Sequence, residues 1–115
     1  MYKVITLKQI DGTEVPYKFL ASGTTAYRYM QVFHEDLMKK ITSFESDMDY
    51  SIADKLAFIM NSQAEGRDMK ALNYDSFLEW LDKIESSEIF SHMEELIGLY
   101  IGTKLTSSMA KKNQP

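Results

Sequence analysis

The chain has 115 residues, a formal charge of −4 and no cysteine, which allows one core but not two and excludes disulfides, cysteine nucleophiles and thiolate metal sites. With 44% hydrophobic and 26% charged residues it is composed like a globular domain rather than a collagen or a disordered chain. Charge is uneven: the 17 acids all precede Thr103, and of the 13 basic residues three (Lys104, Lys111, Lys112) follow it, so ten bases against seventeen acids leave the body near −7.

Residues 3–20 predict a β-hairpin. "KVITLKQI" and "TEVPYKFL" flank Asp11-Gly12, a pair that favours a two-residue type I′ turn. That loop would set Ile10 against Thr13, Lys8 against Val15, Thr6 against Tyr17 and Val4 against Phe19. One face then gathers Val4, Ile10, Val15, Tyr17 and Phe19, and Ile5 and Leu7 fall on the other. Pro16 lacks a donor, which places its strand at an edge or a bulge.

After "ASG" the period turns helical. Thr24 or Thr25 caps a helix to about Ser43, striped by Ala26, Met30, Phe33, Leu37, Ile41 and Phe44. "ESDMDY" is an acidic loop; neither register from Glu45 or Asp47 supplies the glycine and bidentate acid of a calcium-binding EF-hand loop. Ser51 with Asp54 resembles a capping pair for a second helix ending at Gly66. Leu56, Ile59 and Met60 form its core face, with Phe58 on the opposite side. Asn73 caps a third helix with Phe77, Leu78, Leu81 and Ile84 inward and Trp80 at the margin. A fourth runs from Glu88 to about Ile101, with Ile89, Met93, Leu96, Ile97 and Tyr100 on one face. The fold class is α+β, mainly helical: a hairpin and four helices in one domain over 1–103, then a flexible basic tail over 104–115.

Chemistry is sparse in this pattern. His34 and His92 belong to no ligand spacing, the glycines form no phosphate loop, and the carboxylate pairs lie on polar helix faces. The chain reads as non-enzymatic, with no metal and no cofactor. An acidic body repels nucleic acid, and no apolar run nears the roughly 20 residues that span a bilayer. The start "MYKVITLKQI" has no signal-peptide pattern, and the lack of cysteine fits a reducing cytoplasm. What remains is protein binding. Tyr27, Val32 and Met38 lie off the first helix stripe, and with Phe58 and Trp80 they are the candidate contact residues.

The order of "YKFLASGTTAYRYMQVFHEDLMKKI", "ADKLAFIMNSQAEGRDMKALNYDSFLEWLD", a last helix and a short Thr/Ser/Lys tail resembles the tail assembly chaperones of long-tailed bacteriophages of Gram-positive hosts. The resemblance covers essentially the whole chain and consists of packing patterns, not catalytic motifs. It implies a protein that coats the tape measure protein and keeps it soluble until tail tube subunits polymerise around it. It further implies residence in the host bacterial cytoplasm and absence from the finished virion. Such families often make a longer product by ribosomal frameshifting, whose extension recruits tail tube protein; "MAKKNQP" fits the short product. Homo-oligomerisation is compatible with this role. The competing reading is a structural tail or head–tail connector component that stays in the virion.

Overall fold

The computed structural model describes residues 1–112, with side-chain surroundings given through residue 102 except at position 45. The fold is α+β and mainly helical, an N-terminal hairpin followed by helices. Among the described residues no helix is long and apolar enough to cross a membrane. The strands are β1 (Tyr2–Lys8) and β2 (Glu14–Leu20). The helices are α1 (Thr25–Phe33), α2 (Leu37–Thr42), α3 (Phe44–Asp47), α4 (Ser51–Ala64), α5 (Tyr74–Asp82), α6 (Glu88–Ser91) and α7 (Met93–Lys112). A short 3-10 turn, Met69–Ala71, links α4 to α5.

The hairpin is one residue out of the predicted register. Tyr17 faces Ile5 and Val15 faces Leu7, rather than Thr6 and Lys8. The turn explains the shift. Gln9 N donates to Thr13 O at 2.7 Å and Gly12 N donates to Gln9 O at 2.9 Å. Three residues, not two, therefore cross the loop, with Gly12 left-handed at φ 91°. This is a type I turn closed by a left-handed glycine. Asp11 favours it by accepting from Thr13 N at 2.9 Å and Thr13 Oγ1 at 2.7 Å. Side chains alternate along a strand, so a slip of one exchanges the faces of β1. Ile5 and Leu7 are buried with Phe19, whereas Val4 and Ile10 are exposed. Pro16 sits opposite Thr6. The bonded pairs at Gln9–Thr13 and Met1–Ala21 make Thr6–Pro16 a non-bonded pair by alternation, so no ladder bond is lost.

The single long first helix does not form. α1 stops at Phe33, His34 adopts φ 56°, and the chain restarts as α2 and then α3. Two carboxylates hold the break. Asp36 caps α2 by accepting from Lys39 N at 3.0 Å. Glu35 accepts from Tyr29 Oη at 2.9 Å and from Lys55 Nζ at 3.2 Å on each oxygen. Freed from α2, α1 turns Thr25, Tyr29, Val32 and Phe33 inward and leaves Met30 exposed. Val32, a predicted surface residue, is thus buried at 6% exposure.

α4 is the centre of the molecule. It packs against β2 and against α1, α2, α5, α6 and α7, so every side needs an apolar side chain. Asp49, not Asp54, serves its start: Asp49 Oδ1 accepts from Ser51 N at 3.1 Å and Ser51 Oγ at 2.6 Å. Its end is as predicted. Gly66 takes φ 68° while Arg67 N donates to Ser62 O at 3.0 Å and Gly66 N to Gln63 O at 3.2 Å, the paired bonds of a Schellman motif.

Asn73 caps α5 reciprocally with Ser76, each accepting from the other's backbone N–H at 2.9 Å. Phe77 is buried and Trp80 and Leu81 are half-buried at i, i+3 and i+4, but Leu78 faces solvent rather than the core. Ile84 lies beyond the helix and bridges to Gln9. The predicted last helix is interrupted at His92 and continues as α7 to Lys112, past its expected end near Ile101. Residues 113–115 of the predicted tail lie outside the described residues.

Candidate functional site

Charged and polar groups inside this fold hold elements together. Asn61 is buried on α4. Its Nδ2 donates to Lys18 O at 2.9 Å, and its Oδ1 accepts from Trp80 Nε1 at 3.0 Å and Arg67 Nη1 at 2.8 Å. One amide thereby ties β2, α5 and the segment after α4 together. Glu35 does the same for α1 and α4. Burial, with the Glu35 hydrogen bond and charge, pushes the Tyr29 phenol far above its ordinary value, so it remains a donor to that carboxylate.

The histidines are placed apart. His34 is exposed at the left-handed end of α1, and His92 Nδ1 lies 2.9 Å from Glu95 Oε1 at the start of α7. Among the described residues no three His, Asp or Glu side chains converge as a metal site. The Asp54 carboxyl is raised above its usual range by burial and has no hydrogen-bond or ion-pair partner among the described residues. For an acid raised in the folded state, the cost is absent below its unfolded value, grows as pH rises from there to the folded value, and is complete above it. Asp54→Asn is therefore expected to be more stable than the parent at neutral pH, the difference vanishing in acid below the ordinary carboxylate range. Urea unfolding of both proteins across that pH range measures it, and a constant difference would refute the assignment.

The five predicted contact residues divide. Tyr27 is 77% exposed and Met38 is exposed on α2, as a surface role needs. Val32 and Phe58 are buried, Phe58 at 2% exposure, because α1 rotates and α4 is covered on all sides. Trp80 is half-buried, bonded to Asn61 and stacked edge-on to Tyr17 at 6.0 Å. It is an internal anchor with one open side.

What the structure brings together on the surface is Tyr27 and Met30. With Ala26, Asp36 and Leu37 they line a shallow cleft of about 260 Å³ where α1 meets α2, and Met30 is 44% exposed. Sequence reasoning assigned Met30 to the core; its spacing of three from Tyr27 was the usable signal, since such pairs are helix-surface neighbours. A second apolar area joins α3 and α6 through Tyr50, just before α4. Tyr50 packs edge-on between Phe44 at 5.3 Å and Phe90 at 5.1 Å, beside exposed Met48 in sequence. Comparison of the chain with protein-family models, curated proteins and solved structures finds no match.

Proposed function

We propose that this chain is a non-catalytic binding protein of the phage tail assembly chaperone type, which holds the tape measure protein soluble during tail assembly. The observation that supports it is the Tyr27–Met30 cleft, with Met38 exposed nearby in sequence, on a body of strongly negative charge. Exposed apolar side chains on a helix-lined cleft suit the apolar face of a client helix. The surrounding charge keeps the complex in solution. Many copies along one long client need only modest affinity each, since neighbours on the same strand add avidity. In this reading the protein works in the host cytoplasm, is left out of the virion, and shares its client with a longer frameshifted form that engages tail tube protein.

Co-expression with the tape measure protein of the same phage is the test. Parent protein is expected to keep that client soluble and to co-purify with it. Replacing Tyr27 and Met30 together by Asp is expected to abolish both effects. Because both side chains are exposed, the unfolding free energy should move by no more than about 0.5 kcal/mol. A client equally soluble with and without the chaperone defeats the proposal. Mass spectrometry of purified particles separates it from the structural alternative, in which the chain is retained in stoichiometric amounts.

A further inference from the structure

We propose that the groove between the hairpin turn, the end of α5 and α6 docks an arginine side chain of a partner protein, its alkyl stem on isoleucines and its guanidinium at Asp54 and Asp82. The groove holds about 370 Å³, and no basic residue lines it. Its apolar wall is Ile10, Ile84 and Ile89. Ile84 and Ile89 are buried, whereas Ile10 is 76% exposed. Ile10 is nevertheless fixed. Its N–H donates to Lys83 O at 3.0 Å, and Glu85 N donates to Lys8 O at 3.0 Å beside it. The backbone thus holds an apolar side chain in water at the edge of the groove, which is unfavourable until something covers it.

Three carboxylates share the lining: Asp54 from α4, Asp82 from the end of α5, and Glu85. Glu35, Asp49 and Glu95, away from the groove, each meet a lysine, at 3.2, 3.7 and 2.9 Å. Among the described residues Asp54, Asp82 and Glu85 meet none. Glu85 is oriented by Ser87, accepting from its N–H at 3.1 Å and its Oγ at 2.6 Å. Those bonds, with Lys8 acting at longer range, hold the Glu85 carboxyl below its ordinary range, so it stays charged. Asp54 is half-buried, and a cation seated beside it would offset the cost of that burial.

Apolar walls and uncompensated negative charge in one groove suit a ligand with an alkyl part and a cationic head. An arginine side chain has both. Its guanidinium is also more weakly hydrated than an ammonium, so it enters a half-buried site at lower cost. A polypeptide must carry it, because a free cation would leave Ile10 in water. The uncovered apolar surface extends past the groove, since Ile10 also lines a neighbouring cavity with Val15, itself 38% exposed. Residues flanking the arginine on a partner chain would cover both. None of these residues belongs to the Tyr27–Met30 cleft, so the site stands or falls separately from the function proposed above.

The probe is acetyl-leucyl-arginyl-leucinamide, titrated into the isotope-labelled full chain and followed by backbone amide shifts. Saturable shifts are expected at Asp54 and from Asp82 to Ile89. The citrulline counterpart, alike in shape but uncharged, should bind about tenfold or more weakly. Asp54→Asn together with Asp82→Asn should cause the same loss for the arginine probe and leave amide shifts outside the groove unchanged. Butylguanidinium, the head and stem alone, should bind at least about threefold more weakly than the tripeptide, having nothing to cover Ile10. Equal binding of the arginine and citrulline probes overturns the proposal. So does butylguanidinium binding as tightly as the tripeptide, which would make the groove a site for small cations. Self-association of the chain that the double variant abolishes would seat a second copy there and overturn it as well.

Discussion

Phe58→Ala is expected to lower the unfolding free energy by about 3–5 kcal/mol, a large part of the roughly 5–15 kcal/mol available to a domain of this kind. Phe58 lies at the middle of an aromatic group, its ring centroid 5.5 Å from Phe77, 5.5 Å from Trp80 and 6.4 Å from Phe33. Those three rings come from α5 and α1, so removing Phe58 opens a cavity between α4 and both neighbours. The cavity does not collapse easily, because α4 is held on its other sides by β2 and α7. Phe58→Leu should cost much less, about 1–1.5 kcal/mol, since most of the volume is kept. Denaturant unfolding followed by Trp80 fluorescence measures both. Equal costs for the two variants would show that the site repacks and is not a rigid centre. Phe58→Leu should also leave client solubilisation intact, because the side chain is covered and makes no surface.

Asn61→Ala is expected to cost about 2–4 kcal/mol, for a different reason. No large volume is lost; instead Lys18 O loses its Nδ2 donor, while Trp80 Nε1 and Arg67 lose the Oδ1 acceptor they share. Leaving one partner of a buried hydrogen bond unsatisfied costs more than the bond itself contributed. Trp80→Phe removes only one of those bonds and keeps the ring packed on Phe58, so it should cost about 1 kcal/mol. In the double variant the costs should fall short of their sum, because the two residues share a bond. Simple additivity in a double-mutant cycle would mean that Trp80 and Asn61 do not act together.

Much of the local architecture could be read before any coordinates. Asn73 as the cap of α5, and Gly66 at the end of α4, stand where the sequence places them, and the structure adds Ser76 as the partner of Asn73. Leu56, Ile59 and Met60 are core as expected, and Phe58 on the opposite side is buried too, because α4 is packed on every side. The candidate surface was read less well. Tyr27 and Met38 are exposed, but Val32 and Phe58 are core, and Met30 was assigned to the wrong side. A helical stripe drawn from Ala26 to Phe44 assumes one straight helix, and Glu35 and Asp36 break it.

Composition, charge and the hydrophobic periods were enough to establish an acidic, mainly helical domain behind an N-terminal hairpin, with the cap at Asn73 and the helix end at Gly66; the expected Thr24 or Thr25 cap forms no side-chain bond to the helix backbone. Those features depend on interactions within a few residues and on totals along the chain. The strand register follows from the local turn around Asp11 and Gly12, but the break after Phe33, the inward face of α1 and the burial of Phe58 were decided by the tertiary structure. The groups responsible are far apart in sequence: Glu35 with Lys55, Thr25 Oγ1 donating to Gln63 Oε1 at 2.8 Å, and Asn61 with Lys18. A polar group removed from water must find its partner wherever the fold supplies one, and that requirement can outweigh the period written into any single stretch of chain.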